Sequence, residues 1–405
     1  MRLGKTMIAI RLAIIWHCFN VLVLAPKSVL LAWCDELTLE QISYNLLEKK
    51  NKKSLLVQNG WFLTNYENSY ILYDDLQKKK FDCIICDEST YIKNCRALRS
   101  KNTIKLSSSF RIVLSGNPTP NHELEIYQQL KFLIDEPFDY NNYYTFRMRY
   151  FLLYGFKYYL KHNMKNRYNE YLKEHCYFLK RADLGFVCEE IIEKRELCFD
   201  TKMKQVYKTV ENEMVLEFNN EELERYLFKI QAFTKLRLLT SGFIQHEFIW
   251  KDKLNELKIL LENDLKDEKV IIICEFTNYE IKNFKNVFKN ALYLQSEHDL
   301  QKRKYILGEF KNSNKQHLFS NSKCIGHGLT LDFCDTMIFY SLPLGGDYYQ
   351  TKERTINICK KNILLIYLLV KDSVDEDIFN GLQKKQSMND IQHAIVKRIL
   401  YNDNK

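Results

Sequence analysis

The sequence predicts an α/β protein built from two doubly wound lobes. Short, continuously apolar runs, each closed by a polar or small residue, recur near both ends of the chain, with helical stretches between them. Strands buried on both faces by crossover helices read this way in a parallel sheet. The 405 residues hold 12 glycines and 5 prolines, too few for the frequent turns of an all-β fold. At roughly 100–200 residues per domain, the length suggests two or three domains with ample core.

Taken in order, Gly4-Lys5-Thr6 leads into an apolar helical pattern from Met7 to Trp16. Val21 to Ala25 (VLVLA), Phe81 to Cys86 and Arg111 to Ser115 (RIVLS) are the strand candidates of the first third. A second set begins at Val270 (VIIIC), continues through Gln316 to Phe319 and Thr336 to Tyr340, and ends with Ile363 to Val370. The intervening region reads as helical and is rich in Tyr, Phe, Lys and Arg. The expected organisation is a first lobe over 1–135, a helical insertion and connector over 136–250, and a second lobe over 251–405. No repeat of solenoid period and no long low-complexity linker interrupts it.

Composition excludes several classes. No uncharged apolar run reaches the about 18 residues of a membrane span, and the N-terminus lacks the series of a signal peptide. Aromatics at 14% carry too much apolar surface for a disordered chain. The net charge of +9 permits contact with nucleic acid without demanding it. The 12 cysteines are scattered, and the C-x-x-C of Cys83 and Cys86 has no second pair at zinc-ribbon distance. Lying in an apolar run, those two read as small core hydrophobes. Reduced thiols place the expected protein in a reducing, intracellular compartment, the host cytoplasm if its source is a virus.

Gly-Lys-Thr before a helix is the tail of a phosphate-binding loop. Backbone N–H groups and the helix N-terminus hold phosphate, Lys5 reaches the β- and γ-phosphates, and Thr6 offers its hydroxyl to Mg²⁺. By itself such a tripeptide also arises by chance in a lysine-rich chain. The apolar strand ending in Asp87-Glu88 supplies a second half, because Asp after a strand is the usual Mg²⁺ partner and an adjacent Glu polarises water. Alone, that pair would read as a solvated acidic turn. Together the two segments point to ATP and Mg²⁺.

With these residues in view, the chain resembles the Swi/Snf-type branch of helicase superfamily two, particularly its compact bacteriophage-like members. Arg2 to Thr6 resembles the end of motif I. Leu24 to Leu30, followed by Trp33 and Glu36, resembles motif Ia, and Leu63 to Glu67 resembles motif Ib. Asp87 to Asn94 resembles motif II, and Leu114 to Asn121 resembles motif III. Phe178 to Asp183 resembles the basic segment that closes lobe 1, and Gln205 with Tyr207 the Gln-x-x-Tyr that follows it. Val270 to Phe276 resembles motif IV, Ser322 through Gly326-His327-Gly328 to Leu331 motif V, and Tyr349-Gln350 with Arg354 the first half of motif VI.

The resemblance implies two RecA-like lobes and an ATP-dependent DNA translocase or helicase-like motor, with ATP and Mg²⁺ in the cleft between the lobes. It assigns Gly4, Lys5, Thr6 and Asp87 to nucleotide and metal, with Glu88, Gln350 and Arg354 as catalytic groups. Lys27, Ser28, Thr64 and Thr330 are the implied contacts to nucleic acid, most plainly double-stranded DNA. Ser115, Gly116, Asn117, Gly326 and Gly328 are the implied coupling residues. His327, a lone histidine between glycines, is assigned no acid–base role.

Three departures bear on activity. Met1 falls inside motif I, so the strand and the Gln-bearing adenine-recognition segment usually upstream are expected to be missing, leaving an unpaired sheet edge. Thr90 stands where the family has His. Asn357 stands where a second arginine is usual, and Cys359-Lys360 replaces the closing Gly-Gln. An arginine finger is worth about 10³–10⁵ in rate. The rival expectation is therefore a nucleic-acid-binding remnant that has lost turnover. A P-loop nucleotide kinase would leave motifs III, V and VI unexplained.

Between Tyr140 and Arg181, aromatics interleave with Lys and Arg. Such a stretch can stack bases and neutralise phosphates. The local pattern favours amphipathic helices with an aromatic core and solvated lysines.

Overall fold

The apolar runs expected as strands pair into two separate parallel sheets. The computed structural model describes residues 3–47, 58–120, 122–154, 157–179, 181–185, 188–216, 233–244, 247–325, 331, 333–355, 362–386, 391, 394–395 and 398. By its internal contacts the chain divides into two units, Met1–Phe186 and Val187–Lys405.

The first unit begins with helix α1 (Lys5–Ile15), strand β1 (Val21–Ala25), helix α2 (Leu30–Leu39) and the short β2 (Tyr44–Leu46). There follow β3 (Trp61–Asn65), α3 (Tyr66–Ile71), α4 (Tyr73–Lys78), β4 (Phe81–Cys86), α5 (Leu98–Lys105) and β5 (Ser108–Val113). The sheet order is β2-β3-β1-β4-β5 and every pairing is parallel. VLVLA is buried along its whole length because α-helical layers cover both faces. Cys83 packs with one layer and Cys86 with the other, so the C-x-x-C faces two ways and cannot share a metal ion. Burial pushes the Cys83 thiol up to about 12, as expected of an inert core thiol.

Helix α6 (Ile126–Leu133) closes this sheet, and α7 (Tyr143–Tyr150), β6 (Phe151–Tyr154), β7 (Lys157–Leu160) and α8 (Lys165–His175) form a satellite. The satellite has its own aromatic core of Phe138, Phe146, Tyr150, Phe151 and Tyr168. The expected all-helical segment thus contains an antiparallel hairpin, β6–β7. The helical reading of this stretch is corrected on that point.

In the second unit come β8 (Glu189–Leu197), α9 (Thr201–Leu216), a two-residue hairpin of β9 (Phe243–Ile244) and β10 (Glu247–Phe248), and α10 (Asp252–Ile259). Next are β11 (Val270–Ile273), α11 (Glu280–Val287), β12 (Leu292–Leu294), α12 (Leu300–Asn312), β13 (His317–Ser320) and α13 (Ser322–Ile325). The unit ends with β14 (Thr336–Phe339), α14 (Gly346–Lys352), β15 (Asn362–Val370) and α15 (Val374–Gln383). The sheet order is β12-β13-β11-β14-β15-β8, again parallel throughout. Region 136–250 is thus shared between the units, and its strand β8 lies at the edge of the second sheet. Glu189-Glu-Ile-Ile-Glu-Lys-Arg-Glu-Leu197 carries the alternating charges by which an edge strand resists pairing with other chains.

Candidate active site

Helix α1 starts at Gly4, whose φ of 69° lies in the left-handed region that glycine enters without strain. This turn leaves the first N–H groups of the helix unpaired and places Lys5 and Thr6 in the first turn, both half-buried. An N-terminus so built attracts an anion, and phosphate is the obvious one.

The acidic half forms at the switch point of the sheet. From β1 the chain winds to one side through β2 and β3, and from β4 to the other through β5, so a crevice opens at the carboxyl ends of β1 and β4. Asp87 stands there. Its N–H donates to the Leu24 carbonyl at 2.8 Å and its own carbonyl accepts from the Tyr66 hydroxyl at 2.8 Å. The carboxylate accepts from Trp33 Nε1 at 2.8 Å on one oxygen and from the Glu88 N–H at 2.8 Å on the other. Four hydrogen bonds fix both backbone and side chain, which is the preorganisation a metal ligand needs.

Asp87 and Glu88 are 5% and 6% exposed, side by side. Burial, then the neighbouring Glu88 charge, push Asp87 up to about 6, against the Trp33 hydrogen bond and the positive charge of Lys5. The charge of Lys5 is thus felt at Asp87. Glu88 itself adopts φ 47°, ψ 56°, a left-handed conformation costing a non-glycine residue about 1–2 kcal/mol. Strain of this kind persists where the surroundings over-determine it, and it concentrates at working sites.

The donor set fits Mg²⁺. A hard carboxylate oxygen from Asp87 and the Thr6 hydroxyl are the ligand types Mg²⁺ takes alongside substrate phosphate. A cation there would also relieve the crowding that raises Asp87. Among the described residues no group of three or more His, Cys, Asp and Glu could hold a metal unaided.

The segment after β4 is tied to the segment after β5 by the Gln129 side chain and by a backbone bond. Ser89 Oγ donates to Gln129 Oε1 at 2.6 Å, and Gln129 Nε2 donates to the Pro118 and Glu125 carbonyls at 2.6 and 2.9 Å. The Ser89 N–H donates to the Leu114 carbonyl at 3.0 Å. Gly116 and Asn117 are exposed, while Ser115 Oγ is buried without a hydrogen-bond partner.

The nucleic-acid candidates of this unit divide. Lys27 is exposed just beyond β1, Ser28 is buried, and Thr64 is wholly buried with its hydroxyl donated to the Leu47 carbonyl at 3.2 Å. Thr64 therefore braces the end of β3, its hydroxyl committed to that bond.

In the second unit, Glu275 follows β11 and Ser341 follows β14, at the equivalent switch point. The Glu275 N–H donates to Ser341 Oγ at 2.7 Å, and its carboxylate accepts from the Ser322 N–H at 2.9 Å. Glu280, fully buried, accepts from Ser241 at 2.7 Å, Ser341 at 2.9 Å and the Phe276 N–H at 3.0 Å. Burial pushes Glu280 up to about 7. Gln350 lies on α14 with Oε1 buried and unpartnered, and Arg354 is buried in the turn that follows. Gly326, Gly328, Thr330, Asn357, Cys359 and Lys360 lie outside the described residues.

Sequence reading missed Tyr66, Gln129, Glu275 and Glu280 as site-builders. Glu275 alone carried a signal, an acidic residue directly after a buried strand. Gln129 offered none, since only the fold brings it to Ser89.

The model of the SNF2-related domain matches residues 1–322. ATP-dependent helicase fft1 of Schizosaccharomyces pombe is 31% identical over 132 residues, covering 30% of this chain and 14% of that protein. The ISWI chromatin-remodeling complex ATPase CHR17 of Arabidopsis thaliana is 30% identical over 153 residues, covering 34% of this chain and 14% of that one. The matched stretches are thus a small part of those relatives. Among solved structures, the Sulfolobus solfataricus SWI2/SNF2 ATPase core in complex with dsDNA covers 95% of this chain and 85% of that one, with a TM-score of 0.43 and 18% identity.

Proposed function

The chain belongs to the SNF2-related domain family, and on that premise we propose that it is an ATP-dependent DNA motor whose hydrolysis is stimulated by double-stranded DNA. The carrying observation is the buried Asp87–Glu88 pair fixed within the field of Lys5 at a helix N-terminus.

In this reading the α1 N–H groups and Lys5 bind the β- and γ-phosphates, and Thr6 and Asp87 would hold Mg²⁺. When bound, Mg²⁺ would neutralise charge on the phosphate oxygens. Glu88, aimed by its left-handed backbone, orients the attacking water. Arg354 and Gln350 are the candidate groups for stabilising the γ-phosphoryl group as charge develops. The Ser89–Gln129–Pro118 link carries the nucleotide state into motif III, while Ser115, Gly116, Asn117, Gly326 and Gly328 transmit it. Lys27, Ser28 and Thr330 contact the nucleic-acid backbone.

The test is steady-state ATP hydrolysis with and without duplex DNA. Wild type gives DNA-stimulated turnover, and Lys5→Ala or Glu88→Gln abolishes it. Wild-type protein that hydrolyses no ATP with any nucleic acid refutes the motor.

Asn357, standing where a second arginine is usual, favours a second reading: a nucleic-acid-binding protein that has lost turnover. Salt-sensitive DNA binding indifferent to ATP, with no hydrolysis, would select it.

A further inference from the structure

The hairpin β6–β7 presents an apolar face that no described residue of its own unit covers. Its register pairs Phe151 with Leu160, Leu152 with Tyr159, Leu153 with Tyr158 and Tyr154 with Lys157. Because side chains alternate across a strand, Phe151 and Leu160 share one face, and Leu152, Tyr154 and Tyr159 share the other. On the first face Phe151, Tyr158 and Leu160 pack on the aromatic core of the satellite, while Leu153 beside them is 59% exposed. The second is open: Leu152 is 58%, Tyr154 81% and Tyr159 52% exposed. A two-stranded ribbon is marginal by itself, and an open aromatic face on one is costly unless it binds something.

Charge identifies the occupant. Residues 140–169 include Arg147, Arg149, Lys157, Lys161, Lys165 and Arg167 and no Asp or Glu, in a chain of 60 basic and 51 acidic residues. Arg149 and Lys165 are exposed on the helices that flank the hairpin. The guanidinium of Arg147 lies over the Tyr144 and Tyr158 rings at 5.2 and 4.6 Å, which stiffens the base of the hairpin. Arg167 is paired with Asp139 at 2.8 Å and Lys161 donates to the Met148 carbonyl, which leaves exposed Arg149 and Lys165 as the candidate phosphate contacts. Flat aromatic side chains with cations on the flanking helices fit a strand that shows bases and phosphates together, and only an unpaired strand offers both.

We propose that the Leu152–Tyr154–Tyr159 face stacks the bases of an unpaired nucleic-acid strand, with Arg149 and Lys165 against its phosphates. The proposal rests on the motor reading and adds a contact that reading does not contain.

The test measures affinity of the full chain for labelled oligo(dT) and for blunt duplex across a salt series. Tyr154→Ala with Tyr159→Ala weakens oligo(dT) binding about tenfold or more, leaves the salt slope unchanged, and leaves duplex affinity within about twofold. Tyr154→Trp retains wild-type binding. Arg149→Ala reduces the slope of log affinity against log salt by about 0.7 for the single strand. These side chains are exposed, so folding is not at stake, and duplex-stimulated ATP hydrolysis by the tyrosine variants reports on the motor separately.

Unchanged oligo(dT) affinity in the tyrosine variants overturns the hairpin proposal while the motor stands if duplex still stimulates hydrolysis. Loss of self-association or of binding to anionic vesicles in those variants, with oligo(dT) affinity intact, makes this a protein or membrane surface and overturns it too. Wild-type protein that binds neither probe and hydrolyses no ATP removes both.

Discussion

At the scale of single residues, Asp87 shows how the fold sets up chemistry at a cost. Its carboxyl is raised from an ordinary value near 3.8 to about 6, chiefly by burial. The raised folded value fixes the sign. The protonated form is favoured in the fold, so the associated stability is complete below the unfolded value and is lost as pH rises through about 6. Asp87→Asn mimics that neutral form. Its amide NH2 cannot accept one of the two N–H bonds the carboxylate takes, so it is expected to fall below wild type near pH 4 and to gain on it as pH rises through about 6, by up to about 3 kcal/mol across that range, in denaturant midpoints of nucleotide-free protein. Activity is expected to run the other way: if Asp87 holds Mg²⁺, the bound cation favours the carboxylate, so the acid limb of wild-type hydrolysis lies below the value of the nucleotide-free protein. Arg354→Ala is expected to reduce kcat by about 10³–10⁵ while ATP affinity, set by Lys5 and α1, changes little. Tight binding without turnover in equilibrium and kinetic assays is the signature.

Among elements, Gln129 on α6 and the Lys253–Asp375 pair are the joints to examine. Gln129→Leu leaves Ser89 Oγ and two carbonyls without their partner, a loss of about 1–3 kcal/mol. The ratio of DNA-stimulated to basal hydrolysis is expected to fall several-fold with ATP affinity unchanged. An unaltered ratio would show that the link does not couple motifs II and III. In the second unit Lys253 Nζ donates to Asp375 at 2.7 Å with both groups buried, and Thr240 donates to the same carboxylate at 2.8 Å. Removing the lysine strands a buried charge, so Lys253→Ala is expected to cost about 3–5 kcal/mol in the unfolding transition of that unit. The strands that could be read from sequence were those buried on both faces, such as Val21–Ala25 and Ile363–Val370, where helices on each side demand an unbroken apolar run. Strand β8 could not be, because an edge strand needs charge and so looks like a solvated helix. The hairpin β6–β7 was hidden for a similar reason, since Tyr and Phe suit either an amphipathic helix or a ribbon.

For the whole molecule, the two-sheet α/β architecture was legible because runs of apolar residues in series admit few other folds. The candidate site residues carried local signatures, Gly4-Lys5-Thr6 before a helix and Asp87-Glu88 after a strand, and in the fold Lys5 lies within electrostatic reach of Asp87. What stayed hidden is what only tertiary structure supplies. Trp33 as the donor to Asp87 is an example, for its indole lies 54 residues away in sequence and could as well have been plain core. Thr64 is the converse, a polar residue in a motif that the fold puts to structural use.

The central claim is that the buried acidic pair and the α1 N-terminus form a working ATPase governed by DNA. The measurement that meets it most directly is steady-state hydrolysis of ATP by wild type and Glu88→Gln, with and without duplex DNA at fixed salt. The account predicts turnover that rises on adding DNA in wild type and a loss of at least about 10² in Glu88→Gln with ATP binding retained. Wild-type hydrolysis indifferent to DNA, or a Glu88→Gln variant that turns over at the wild-type rate, would contradict it.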